Sequence, residues 1–365
     1  MSSGIYCLID LIRMNQIKSM TCILLFLSFF GCQSPDSSSK NEGLELTIDS
    51  MSYAKCFGIT KASDSSVFIQ VFNQNDNHLD KLQQVNWQSN EIEKIGCLST
   101  THLPFIFALD ASSKIVATGF NSCIHFPELE RRIKANGISY LTATENLDKE
   151  LLLRAAPELF FTYPFGGNTC QDMLNAGIGC VQVTEYLEEH PLGRAEWIKL
   201  FGTLLNRSEK ADSIFKKIEQ RYKDASTISH QNEPLVFFGT FDGEAYYAPP
   251  GNSFIAQLIR DAGAQYFFED KKGSSNIRLD KEQMMEITTK ADFMGSVEFG
   301  KNEWANNIQS ISSGKTPILF RCDAAQKDYY GKALLEPDAL LIDFNLIFHS
   351  GSFSTDSLKY FELCK

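Results

Sequence analysis

The sequence predicts an α/β protein made of two parallel-sheet lobes joined by a single long backbone helix. Three observations carry this. Short apolar runs alternate with amphipathic segments over residues 93–186, and the same alternation resumes from residue 234 to the end. Between the two blocks lies "SEKADSIFKKIEQRYKDASTIS", residues 208–229. Its apolar positions Ala211, Ile214, Phe215, Ile218, Tyr222 and Ala225 recur at helical intervals, with no Gly or Pro from Ser208 to Ala225. Strand–helix alternation argues for parallel sheets, because parallel neighbours need a long crossover connection.

The head of the chain is a separate matter. Residues 22–31 are almost all apolar. That run fits a secretory core of about 7–15 residues and is shorter than the ~20 needed to span a bilayer. Lys18 supplies positive charge before it, and Met14 offers an alternative start to Met1. The run closes on Gly31-Cys32 and is followed by "QSPDSSSKNEG". This is the layout of a bacterial lipoprotein signal, with Cys32 as the lipidated first residue of the mature chain. The expected division is a signal peptide over 1–31 and a flexible tether over 32–50. An N-terminal α/β lobe over 51–206, the linking helix over 207–230 and a C-terminal α/β lobe over 231–365 follow.

Within the first lobe, "VFIQVF" (67–72) and "QQVNW" read as strands. Residues 93–110 read as strand, loop and helix, with Ser99, Thr100, Thr101 and His102 in the loop. Residues 114–120 form a strand and 126–138 a helix with a Gly stop. Residues 146–165 give a helix, a Pro break and a buried strand, and 170–186 repeat helix, Gly turn and strand. Residues 192–205 are helical, and Asn206 with Glu209 is a capping-box signal for the linking helix. In the second lobe, 234–241 is a strand, 253–264 a helix, 279–297 a helix then a strand, 316–324 a strand and loop, and 336–348 closes the chain.

Composition narrows the function classes. Charged residues are 22% and hydrophobic residues 43%, as in ordinary globular chains. The formal charge is −11, and a surface this acidic with no basic stripe repels nucleic acid. Seven cysteines lie after Cys32: Cys56, Cys97, Cys123, Cys170, Cys180, Cys322 and Cys364. No C-x-x-C occurs, so zinc and redox motifs are unsupported, and the pairing is unreadable. Cys97 and Cys180 sit in apolar runs and read as small buried hydrophobes. The six histidines show no metal-ligand spacing, so a bare metal ion is not expected; His190, before Pro191, reads as a helix cap. There is no G-x-S-x-G, P-loop or G-x-G-x-x-G, and Glu128, Glu130, Glu188 and Glu189 read as solvated faces. An enzyme and a resident cofactor are therefore not expected.

Four stretches in order carry a resemblance: "NLDKELLLRAAPELFFTYPF", "HPLGRAEWIKLFGTLLNRSEKADSIFKKI", "YAPPGNSFIAQLIRDAGAQYFFED" and "LDKEQMMEITTKADFM". Over residues 93–365 the chain resembles the class III periplasmic substrate-binding proteins of ABC importers, which bind ferric siderophores, cobalamin or haem. The resemblance implies a lipid-anchored, monomeric binder of a metal chelate. It would sit at the periplasmic face of a bacterial membrane or on the outer-membrane surface, touch the membrane only through its anchor, and serve a permease and its ATPase. It also implies a rigid linker and little closure. Cobalamin is an alternative ligand, and a surface lipoprotein working without a permease is an alternative of another class. Asp148 and Glu150 match the family's acidic permease-docking position in the first lobe. In the second lobe Asn252 stands at the matching place.

Ligand-contact candidates are loop residues at strand ends. In the first lobe they are Thr101, His102, Phe120, Asn121, Tyr163 and Phe165; in the second, Phe241, Tyr246, Tyr247, Trp304, Arg321, Tyr329 and Tyr330. Aromatic faces suit a bulky, partly apolar chelate, and Tyr and Trp add a donor. Arg321 would pair with an anionic group.

Overall fold

The computed structural model describes residues 46–49, 51–62, 66–75, 78–88, 91–119, 125–141, 147–164, 168–227, 232–300, 303–312, 314, 316–349 and 357–364. Cys32, Phe120, Asn121, Cys123 and Phe165 lie outside them.

The chain enters through an antiparallel meander. Strands β1 (Leu46–Asp49), β2 (Phe57–Ala62), β3 (Ser66–Asn75) and β4 (His78–Gln88) pair in that order. The expected tether over 32–50 therefore runs into regular structure at Leu46. Along β2 and β3, Phe57, Ile59, Val67, Ile69 and Val71 are buried and pack into the main core. The meander is latched to the first lobe by Gln83, whose Nε2 donates to the Cys180 carbonyl (2.7 Å) while its Oε1 accepts from Gln182 N–H (2.9 Å). One side-chain amide thus satisfies backbone groups on the edge of the next sheet.

That sheet holds β5 (Ile95–Cys97), β6 (Ile115–Gly119), β7 (Ser139–Leu141), β8 (Leu159–Thr162) and β9 (Gly179–Gln182). Its order is β7-β6-β5-β8-β9, parallel throughout. Helices α1 (Leu103–Ala108), α2 (Pro127–Lys134), α3 (Lys149–Ala155) and α4 (Thr169–Asn175) make the crossovers. The order reverses between β5 and β8, so the loops after these strands flank a switch point.

Residues 192–205 form two helices, α5 (Pro191–Glu196) and α6 (Ile198–Leu204), with Trp197 between them. His190 caps α5, its Nδ1 accepting from Leu192 N–H at 3.0 Å, as the sequence suggested. The linking helix α7 (Ser208–Ser226) then runs 19 residues, about 28 Å at 1.5 Å per residue. Its N-terminus differs from expectation: Asn206 is not its cap but adopts φ 55°, and no side chain caps the helix. Asparagine tolerates the left-handed region, and here it reverses the chain between two tightly packed helices.

The second lobe contains β10 (Leu235–Phe238), β11 (Thr240–Phe241), β12 (Tyr246–Ala248), β13 (Gln265–Tyr266), β14 (Ile277–Leu279), β15 (Phe293–Glu298), β16 (Ile318–Asp323) and β17 (Glu362–Leu363). The main sheet has order β13-β10-β15-β16-β17, parallel except for β17, and β11-β12-β14 form a small antiparallel sheet. Helices α8 (Phe254–Asp261), α9 (Lys281–Lys290), α10 (Glu303–Ile311) and α11 (Pro337–His349) flank them. Here the order reverses between β10 and β15. Gly295 on β15 leaves space that the Phe320 and Phe238 rings fill, and a Cβ there would collide with both.

One contiguous apolar core runs from the meander through both lobes, including Ile69, Phe161, Phe201, Phe215, Ile218, Val236, Phe320 and Phe344. Two smaller clusters cover the opposite sheet faces, around Leu141, Phe160 and Met173 in the first lobe and Phe237, Met294 and Trp304 in the second. Among the described residues no helix is long and apolar enough to cross a membrane.

Candidate ligand-binding site

The two lobes meet in a seam at α5, which packs on the linking helix, on α8 and on the turn Lys332–Leu335. Helix α5 carries Arg194, and its guanidinium lies 4.1 Å over the Phe254 ring of the opposite lobe. Arg194 Nε is buried with no hydrogen-bond partner. Glu185, Tyr329, Tyr330 and Glu188 all lie within electrostatic reach of it. Burial pulls the guanidinium pKa below its ordinary value, against the Glu185 charge, which raises it. Glu185 itself is sealed at 1% exposure. Burial holds its carboxyl above the ordinary range, while a hydrogen bond with Thr101 and the Arg194 charge pull it down.

Thr101 stands in a single 3-10 turn (Thr100–His102) directly after β5, at the first switch point. Its hydroxyl shares a 2.9 Å hydrogen bond with Ser99 Oγ. At the second switch point Phe299 follows β15 and stacks on Tyr330, with centroids 5.6 Å apart and planes at 13°. Tyr329 packs edge-on to Tyr330 at 5.2 Å and to Phe361 at 6.1 Å. Thr101, Arg194, Phe299 and Tyr330 are all half-buried. The seam therefore combines a flat aromatic wall, an orphan cationic donor and hydroxyls. That set can stack a large ring system and hold a negatively charged edge.

Of the residues expected from sequence, Thr101, Tyr329 and Tyr330 come together here. Others are placed elsewhere. His102 is 1% exposed and packed between Phe161 and Phe201, so it belongs to the core. Trp304, at 1%, is in the outer cluster with Phe237, Met284 and Met294. Tyr246 is in the same cluster, with Phe241 tilted against it at 4.7 Å. Tyr163 packs on the outer cluster of the first lobe. Tyr247 is buried, on the opposite face of β12 from Tyr246. Arg321 is engaged by Glu362 (2.7 Å) and the Gly300 carbonyl (3.2 Å). In each case a strand or helix periodicity invisible in a loop-by-loop reading turns the side chain into a layer. Phe299, Arg194 and Glu185 border the same seam and were not among the sequence candidates. The signal available for Arg194 was its place in "HPLGRAEW", a short amphipathic segment beside the linker.

Glu188 was expected on a solvated face and is instead buried at 2%. It accepts from Lys55 N–H (2.8 Å), Cys56 N–H (2.9 Å) and Trp197 Nε1 (2.9 Å). Glu196, fully buried, accepts from Ser52, Tyr53 and Ala54 N–H at 2.8–2.9 Å and from Lys199 Nζ. Buried carboxylates need such donors. Together they strap residues 52–56 over α5. A second correction concerns Cys180, which is disulfide-bonded to Cys170 (Cα–Cα 5.5 Å). The helical turn of α4 brings Cys170 back beside β9. Among the described residues no group of three His, Cys, Asp or Glu side chains is placed to hold a metal ion.

Two lobes with a polar-aromatic seam between them define a solute-binding protein. The sequence profile of the periplasmic binding proteins matches residues 98–295, and the chain belongs to that family. It is 22% identical over 287 residues to an uncharacterized lipoprotein of Methanocaldococcus jannaschii, covering 74% of this chain and 68% of the relative. Its fold is similar to that of a periplasmic heme-binding protein from Pseudomonas aeruginosa (TM-score 0.58, 13% identity, 75% of this chain and 98% of that one). It is also similar to a protein of an ABC-type Fe3+-hydroxamate transport system from Saccharomonospora viridis (TM-score 0.53, 14% identity, 72% and 96%).

Proposed function

We propose that this chain is a lipid-anchored substrate-binding protein that captures an iron–siderophore or related metal chelate in the inter-lobe seam and delivers it to an ABC importer. The observation that carries the reading is the Phe299–Tyr330 stack with the Arg194 charge in electrostatic reach of Tyr330. A flat aromatic face suits a large chelate, and a half-buried guanidinium suits an anionic or carbonyl edge. The heme- and Fe3+-hydroxamate-related folds support this ligand class. The Cys170–Cys180 disulfide supports an oxidising compartment, and with it export. Cobalamin, also large and flat, fits the same wall.

Asn252 favours a second reading, chelate capture without a standard permease. Its Nδ2 donates to Glu189 Oε1 across the lobes (2.7 Å) and its Oδ1 accepts from Gly273 N–H (3.0 Å), so it is committed to the fold rather than to a docking partner. In the first lobe Asp148 caps α3 by accepting from Leu151 N–H, and Glu150 stays exposed beside Arg154. Glu150 is the better docking acid.

Native mass spectrometry with a ferric trihydroxamate, haemin and cobalamin tests the proposal. One of them should bind, and Tyr330→Ala and Arg194→Gln should weaken it. Absence of a bound mass with all three overturns the ligand class. Binding that ignores both variants overturns the placement.

A further inference from the structure

A second concavity, lined by a different set of residues, lies where α1, the linking helix and the turn 332–336 converge. It is a groove of about 390 Å³. Its floor is apolar, formed by Pro104 and Phe107 from the first lobe, Ile214 and Ile218 from the linking helix, and Leu335 from the second lobe. Phe107 stacks on Phe126 at 4.0 Å. The rim is charged, and its charges differ in kind. Arg221 is tied to Asp338 (2.7 Å), and Glu336 accepts from Lys359 (2.7 Å) and from the Tyr360 hydroxyl. Lys217 and Lys332 are exposed and make no ion pair among the described residues, although the Lys332 ammonium lies 5.7 Å over the Phe126 ring. The Lys332 ammonium also feels the Asp328 carboxylate, so both lysines put positive charge on the rim of an apolar trough.

We propose that this groove is a second ligand site and takes a free aliphatic carboxylate. The chain lies on the apolar floor and the carboxylate lies against Lys217 and Lys332. An ammonium is a point charge without fork geometry, which suits a single carboxylate. The apolar floor supplies the burial that gives such an anion affinity. Because the lining comes from both lobes and the linking helix, an occupant braces the seam between them. None of Thr101, Glu185, Arg194, Tyr329 or Tyr330 lines the groove, so the two sites share none of these residues.

The test is calorimetric titration of the mature chain with dodecanoate, dodecanol and dodecylammonium below their aggregation limits. Dodecanoate should bind most tightly. The Lys217→Glu, Lys332→Glu double variant, at two exposed positions, should weaken dodecanoate roughly tenfold or more, the worth of one charge-assisted contact. It should leave dodecanol unchanged. Tyr330→Ala and Arg194→Gln should leave the dodecanoate titration as it was; if they abolish it, the probe occupies the seam and the proposal fails. Equal binding of dodecanoate and dodecanol, or indifference to the lysine changes, also overturns it. Binding to phosphatidylglycerol vesicles through the same lysines without uptake of free dodecanoate would assign the groove to a membrane surface and overturn it too.

Discussion

His102 offers the sharpest quantitative test, because its environment is simple. It follows β5, is 1% exposed and sits 6.4 Å from the Phe161 ring and 6.1 Å from Phe201. Its Nδ1 has no partner. Burial alone pulls its pKa from 6.5 down to about 3. The folded pKa lies below the unfolded one, so the unfolded chain binds a proton that the folded chain refuses between those values. The neutral imidazole costs nothing extra above pH 6.5. As pH falls below 6.5, stability is lost at roughly 1.4 kcal/mol per unit, levelling near pH 3. At pH 5 the loss is about 2 kcal/mol. His102→Leu removes the titration and an unpartnered polar atom. It should be near neutral at pH 7.5 and more stable than the parent by about 2 kcal/mol at pH 5. Glu185, Glu188 and Asp343, whose carboxyls burial holds above the ordinary range, favour the acid side, but they are common to both proteins and cancel in the difference. Urea unfolding at pH 7.5, 6.5, 5.5 and 5.0 measures it. A variant-minus-parent difference that stays flat over that range refutes the buried, neutral imidazole.

Other expectations follow from the same packing. Trp304→Ala should cost on the order of 3–5 kcal/mol of stability, as for any large buried aromatic, and urea titration reads it; Tyr330→Ala should hardly move stability but weaken the chelate by about 2 kcal/mol, roughly thirtyfold. Cys180→Ser, or a reductant on the parent, opens a short loop of 10 residues and should cost about 2–3 kcal/mol by loop entropy, seen as a lower urea midpoint. Glu196→Ala strands three backbone N–H groups and should cost about 3 kcal/mol, with amide exchange at Ser52, Tyr53 and Ala54 rising before that of the sheets; exchange confined to global unfolding would contradict the strap.

Much of the fold was legible because strand–helix alternation is a local pattern. The long helix was legible because its apolar stripe repeats over five turns and nothing interrupts it; it runs Ser208–Ser226, within the expected 207–230. The site was less legible for a physical reason. A tyrosine at a strand end faces either the seam or an outer helix layer, and the choice depends on sheet parity and on what packs behind. Tyr246 and Trp304 went to the outer layer, while Phe299, one residue past β15, went to the seam. Charged residues were hardest. Glu188 reads as a solvated acid until the 52–56 strap supplies donors from 133 positions away in sequence.

The same long-range ties bear on how the lobes move. A hinged binder keeps separate cores and closes on flexible crossings. Here one apolar core is shared, and α7 is held on both sides. Tyr222 donates to Asp261 (2.6 Å), Arg221 pairs with Asp338, and Tyr53 donates to Glu219 (2.8 Å). Opening the lobes would expose Phe215, Ile218 and Tyr222, each under 4% exposed, at roughly 1.5–3 kcal/mol per aliphatic or phenyl side chain. That cost would be drawn from the ligand's binding free energy, so closure is disfavoured. On the proposed reading, selection of ligand lies in the seam's shape and in Arg194 rather than in closure. Small-angle scattering with and without the chelate should show an almost constant radius of gyration, and a large contraction on binding would mean that the shared core divides.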